Sequence, residues 1–199
     1  FGGTLPLNSF TAKGSIGRKE MAVDEFEGRN FDGTFVGRAR LRWSGGWSLE
    51  GTVEARRLDA AKLAPALFAG GNVDGQASYT AQAAQADGLV PALRVDGNFK
   101  ASQGAVLGID LMHMLASATA DSGKTSFREL AASFARDGGG SQLRQLRFDA
   151  GVLSANGSVE IGSDDTVRGR FTAAYRFDNQ VRSSPVSLTG KLQAPKFGR

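Results

Sequence analysis

Strict alternation of apolar and polar residues, the signature of a strand with one buried face, runs through most of this chain. In "RARLRW" Ala39, Leu41 and Trp43 share one face while Arg38, Arg40 and Arg42 take the other. The pattern resumes after Ser44–Gly46 as Trp47, Leu49, Gly51, Val53 and Ala55 against Ser48, Glu50, Thr52 and Glu54. A three-residue loop there sets Trp43 opposite Trp47 and supplies glycine for the left-handed position such loops need, so a hairpin is predicted. The same rhythm appears in Leu93 to Ala101, Leu153 to Ile161, Val167 to Phe177 and Val186 to Ala194. The fold class is read as mainly β: a strongly curved antiparallel or mixed sheet, a half-barrel or folded-over sheet, with two short helices packed on it.

A smaller motif recurs within these strands: apolar, x, Gly, x, apolar. It occurs as "FDGTF", "LEGTV", "VDGQA", "VDGNF", "ANGSV", "VRGRF" and "LTGKL". Each glycine falls on the apolar face, where it marks a bend, a bulge or a close approach by something else. Repeated over many strands, it points to strong curvature. Either the gaps admit a ligand or they lie under neighbouring side chains. Asn156-Gly157 is a favoured hairpin dipeptide, yet a turn there would pair apolar with polar residues at two successive rungs. A strand running straight through keeps Leu153, Ala155, Val159 and Ile161 on one face and is preferred.

Two segments break the alternation. Residues 58–70, "LDAAKLAPALFAG", carry Leu58, Ala61, Leu63, Leu67 and Phe68 at helical spacing, with Pro65 to kink or shorten the helix and Gly70-Gly71 to end it. Residues 108–118, "GIDLMHMLASA", place Ile109, Met112 and Leu115 on one side, with Asp110 near the start to complement the helix dipole. The expected organisation is one domain over residues 1–199, a fragment of a longer protein, with 1–70 and 71–199 as loose repeats.

Composition narrows the chemistry. With 41% apolar residues among 199 the chain can bury a core. It has no cysteine, which excludes disulfides and thiolate chemistry. No apolar run approaches the roughly 20 residues of a membrane span, and no signal-peptide pattern opens the sequence, so a soluble piece is expected. Its charge of +4, from 24 basic and 20 acidic residues, is scattered. Arg38, Arg40 and Arg42 lack the interleaved aromatics of a nucleic-acid platform, and no nucleic-acid partner is expected. The Gly-Lys-Thr at 123–125 lacks the glycine a Walker loop needs at position 118, which is Ala118, and follows a helix rather than a strand. It is read as a helix-to-strand turn. His113, the sole histidine, sits between two methionines without a nucleophile elbow elsewhere, and Asp164-Asp165 fall in a turn. No catalytic residue, metal site, nucleotide site or cofactor is expected.

The ordered series "WSLEGTVEARRLDAAKLAPAL", "GAVLGIDLMHML", "GKTSFRELAASFARDGGGSQLRQLRF", "GVLSANGSVEIG" and "PVSLTGKLQAPKF" resembles the carboxy-terminal region of AsmA-like proteins of Gram-negative bacteria. The fitting residues are Ile109, Asp110 and Leu111; Gly123, Thr125, Phe127, Leu130 and Phe134; Gly157; and Leu188, Gly190, Leu192 and Pro195. The series covers about three quarters of the chain. The lysine of "SGKT" departs from the family pattern, and the first 40 residues match only in glycine-rich β character. The resemblance implies a periplasmic, non-catalytic domain tethered to the inner membrane by an N-terminal helix outside this sequence, serving outer-membrane integrity and lipid transport between the two membranes. The expected partner is phospholipid or another lipid, shielded on the apolar concave face. Candidate lipid contacts are Phe35, Leu41, Trp43, Trp47, Leu49, Phe99, Phe171 and Phe177. The alternative is an interaction module whose open edges pair with other domains of the same chain or with envelope proteins, as a scaffold for outer-membrane assembly.

Overall fold

The computed structural model describes residues 9–117, 123–177 and 180–198, and leaves the side chains of Ser117 and Phe177 undescribed. The strands are β1 Ser9–Ile16, β2 Glu20–Asn30, β3 Gly33–Arg42, β4 Trp47–Asp59, β5 Phe68–Ala69, β6 Asn72–Ala83 and β7 Arg94–Leu107. They continue as β8 Lys124–Asp137, β9 Gly140–Asp149, β10 Leu153–Gly162, β11 Val167–Phe177, β12 Gln180–Lys191 and β13 Ala194–Gly198. Helix α1 is Ala60–Leu63 and α2 is Leu111–Ser117. The 13 strands form one antiparallel sheet in sequence order, with β5 set beside β6 against the far end of β7. The sheet is not closed into a barrel.

Trp43 and Trp47 face each other across the predicted hairpin with ring centroids 5.8 Å apart, and Gly45 and Gly46 take φ of 75° and 120°. The strand also runs straight through Asn156-Gly157, where Gly157 pairs with Phe171.

Four expectations are corrected. Leu58 belongs to β4, not to a helix: a bulge at Arg56 and Arg57 shifts the register and turns Leu58 inward. Arg57 adopts φ 52° there, and its N–H donates to Asp74 Oδ1 at 2.9 Å. The helix is confined to Ala60–Leu63 because Ala64, before Pro65, is driven out of the helical region to φ −144° and ψ 73°. Asp59 Oδ1 caps it by accepting from the N–H of Ala61 at 2.8 Å. In α2 the inward set is Leu111, Met114 and half-buried Leu115, preceded by Ile109, whereas Met112 is exposed. Starting at Leu111 rather than Gly108 rotates the buried stripe. The run Val186 to Ala194 is a hairpin rather than a strand: β12 ends at Lys191, with Gly190 at φ 101°, and Ala194 opens β13. "FDGTF" is likewise a turn into a strand, since Phe31 and Asp32 hold φ of 48° and 58° between β2 and β3.

The glycine gaps are filled from within. Gly37 stands opposite Phe26, Gly51 opposite Tyr79, Gly75 opposite Phe99, Gly97 opposite Phe134, Gly104 opposite Phe127 and Gly157 opposite Phe171. A Cβ on Gly97 would lie 2.8 Å from Phe134 Cζ, and one on Gly157 2.5 Å from Phe171 Cδ1. Phe99 meets Gly75 through its Cβ, and the other rings lie across the glycines of the adjacent strand, an arrangement that covers exposed backbone and permits coiling.

The sheet curls over its second half. Helix α2 lies inside the curl and touches β8 on one side and β11 and β12 on the other. The core sits between them, around Phe127, Leu130, Phe148, Leu153, Val159, Ala173 and Leu188, with Ile109 and Met114 from the α2 region fully enclosed. Phe127 packs edge to face against both Phe68 and Phe148, at 6.2 and 5.8 Å.

Candidate functional site

Inside the curl is an apolar cavity of about 180 Å³. Its wall is drawn from β5 and from every strand between β7 and β13: Phe68, Phe99, Leu130, Leu143, Leu146, Phe148, Val159, Ile161, Phe171, Leu188 and Phe197 among others. Leu67, Ile109 and Leu111 close the end nearest the helices, and Leu192 and Pro195 complete the side formed by the last hairpin. No polar atom contributes surface to it. A dry cavity of ~150 Å³ lined by aliphatic and aromatic side chains accepts apolar guests such as benzene. The space here is larger and equally free of polar groups.

The α2 end is fixed by one buried hydroxyl. Thr125 Oγ1 accepts from the Leu111 N–H and donates to the Ile109 carbonyl, both at 2.9 Å, so the chain leaving β7 is bound to the start of β8. This is the structural work of the "GKT" threonine. Lys124 is exposed and pairs in register with Leu107, while a Cβ on Gly123 would meet Asp110 Cβ at 2.9 Å. Ala118, where the predicted second helix ends, lies outside the described residues. Asp110 Oδ1 accepts from the His113 N–H at 3.0 Å, capping α2, and His113 is exposed.

Of the predicted lipid contacts, Phe99 and Phe171 line the cavity. Phe35 packs against the margin of the core. Leu41, Trp43, Trp47 and Leu49 are half-buried on the same apolar face but at the opposite end of β3 and β4, and they do not line the cavity. Trp43 Nε1 donates to the Arg18 carbonyl at 3.0 Å, which holds that ring at the sheet margin. Phe177 ends β11 opposite Gln180, and its side chain lies outside the described residues. Sequence reasoning missed Phe148, Leu130, Leu146 and Phe197. Their alternation was visible, but the curl that brings them to one space was not.

The other face of the sheet is polar. Arg38 and Arg40 are exposed on it, and Arg42 lies 3.3 Å from Glu50 and 3.7 Å from Glu20. Asp164 clamps the β10–β11 turn. Hydrogen bonds from the Thr166 hydroxyl and N–H, at 2.6 and 3.1 Å, and from Lys191 Nζ hold its carboxyl well below the usual carboxylate range. Tyr79, lying over Gly51, donates to the Arg38 carbonyl at 3.1 Å, and burial pushes its phenol up. Among the described residues no group of three or more His, Asp or Glu side chains is arranged to hold a metal, and no helix is long and apolar enough to cross a membrane. Comparison with protein-family models, curated proteins and solved structures finds no match to this chain.

Proposed function

We propose that this is a non-catalytic, lipid-shielding domain that takes the acyl part of a lipid into the interior of its curled sheet. The observation that carries the proposal is the cavity of about 180 Å³ whose lining is wholly apolar. A guest there exchanges water for aliphatic and aromatic contacts and leaves no polar group unpaired, which favours hydrocarbon over any polar ligand. The AsmA-like succession of motifs supports a periplasmic location and a role in outer-membrane integrity and lipid movement between the membranes. It also supports phospholipid as the natural source of the chain.

The test is occupancy. Protein purified without detergent and analysed by native mass spectrometry is expected to carry a lipid-sized mass increment, and delipidated protein to take up a fluorescent acyl lipid. Protein that is bare in the first measurement and inert in the second has no lipid-shielding role.

A second reading is supported by the opposite margin. Among the described residues strand β1 pairs with β2 alone, and it is exposed along its length, with Phe10 and Ile16 open to solvent. Such an edge can accept a strand from another domain or an envelope protein. Co-purification of a strand-donating partner, with no lipid, would favour this scaffold role.

A further inference from the structure

We propose that lipid reaches the cavity sideways, through the seam where β13 meets the end of β7 beside β5, and that Phe197 is the gate. This rests on the lipid-shielding reading and names the passage it requires.

The seam is a place where the curl comes together without being joined. Leu67 and Phe68 on one side and Pro195 and Phe197 on the other line the same cavity. The Phe197 ring lies 3.7 Å from where a Cβ on Gly108 would stand, so the two sides are in van der Waals contact. Yet among the described residues β13 pairs with β12 alone, and no backbone hydrogen bond crosses to β5 or β7.

The sequence keeps the seam unzipped. Strand β5 is two residues long, too short to serve as a ladder, and β13 carries Pro195, which has no N–H to donate. Elsewhere around the curl, parting neighbouring strands would break a continuous run of hydrogen bonds. Here it requires only that one ring swing away from a glycine, a motion resisted by dispersion contacts alone. Among the described residues a second strand-free approach lies at α2, where Thr125 bonds both Ile109 and Leu111, contacts that the seam lacks. The cavity admits one hydrocarbon chain rather than two side by side, since it exceeds a benzene-sized void of ~150 Å³ only modestly. The preferred guest is therefore a single acyl chain, whether from a free fatty acid or from one arm of a phospholipid.

The experiment uses stopped-flow uptake of a fluorescent fatty acid and, separately, of a phospholipid labelled on one chain. Phe197→Ala is expected to speed uptake and release together, by roughly tenfold, with little change in equilibrium affinity. Phe99→Ala, in the wall away from the seam, is expected to alter affinity instead. The chain has no cysteine, so a Gly108→Cys, Phe197→Cys pair joined by a short bifunctional thiol reagent is expected to abolish uptake in protein whose melting shows it folded. Unchanged uptake rates in Phe197→Ala, or undiminished uptake after cross-linking, would overturn the gate while leaving the lipid reading intact. If the unaltered protein takes up neither probe, the lipid reading falls and the gate with it. Uptake of the fatty acid alone identifies the free acid as the source.

Discussion

Gly157 and Phe171 show what individual residues contribute to this fold. The glycine leaves backbone uncovered on the concave face, and the cross-strand ring covers it while also lining the cavity. Substituting Gly157→Ala places a Cβ 2.9 Å from Phe171 Cα as well as against its ring, so backbone as well as side chain must move. The expected cost is about 1–3 kcal/mol, read as a lower urea midpoint with an unchanged slope. A neutral result would show that the sheet can flatten locally. The recurring glycine motif was legible in the sequence, but what fills its gaps was not. Gly97 finds Phe134 and Gly51 finds Tyr79 only once strand register is set, and register depends on bulges.

Individual elements were legible where alternation is unbroken and misread where it changes phase. The shift at Arg56 and Arg57 resembled the beginning of a helix because a bulge and a helix both displace the apolar positions. The left-handed Arg57, pinned by Asp74, marks it as a bulge. Gln145, at φ 52°, does the same in β9, moving the inward set from Leu143 to Leu146. Helix α2 begins later than its sequence suggested, at Leu111 rather than Gly108, and its position depends on Thr125. Replacing Thr125→Val keeps the shape but leaves the Leu111 N–H and Ile109 carbonyl without their partner, at an expected cost of about 1–3 kcal/mol. Hydrogen exchange is expected to accelerate in α2 while β9 and β10 stay protected. Equal acceleration in those strands would mean that the hydroxyl supports the whole core rather than the helix alone.

At the scale of the whole molecule, the curved sheet with two short helices was readable, but the site was only partly so. Trp43 and Trp47 are the most conspicuous apolar residues, yet they belong to the part of the sheet that does not enclose the cavity. A site whose wall comes from eight different strands cannot be located from any one of them. The same division governs stability. Strand β1 is exposed throughout, whereas β8, β10 and β11 contribute Phe127, Leu130, Leu153, Val159 and Ala173 to the core. Amide exchange is expected to be fastest in β1, slower in β2 and β3, and slowest in β8, β10 and β11. Uniform protection would show the sheet opening as a single unit. The strand order itself bears on how the chain acquires its structure. Because the strands pair in sequence order, hydrogen bonding can spread from one hairpin to the next without waiting for a distant segment, the topology associated with rapid folding. Each strand can therefore be laid down on the one before it, and the curl closes when β11 and β12 reach α2 and the Phe197 ring meets Gly108.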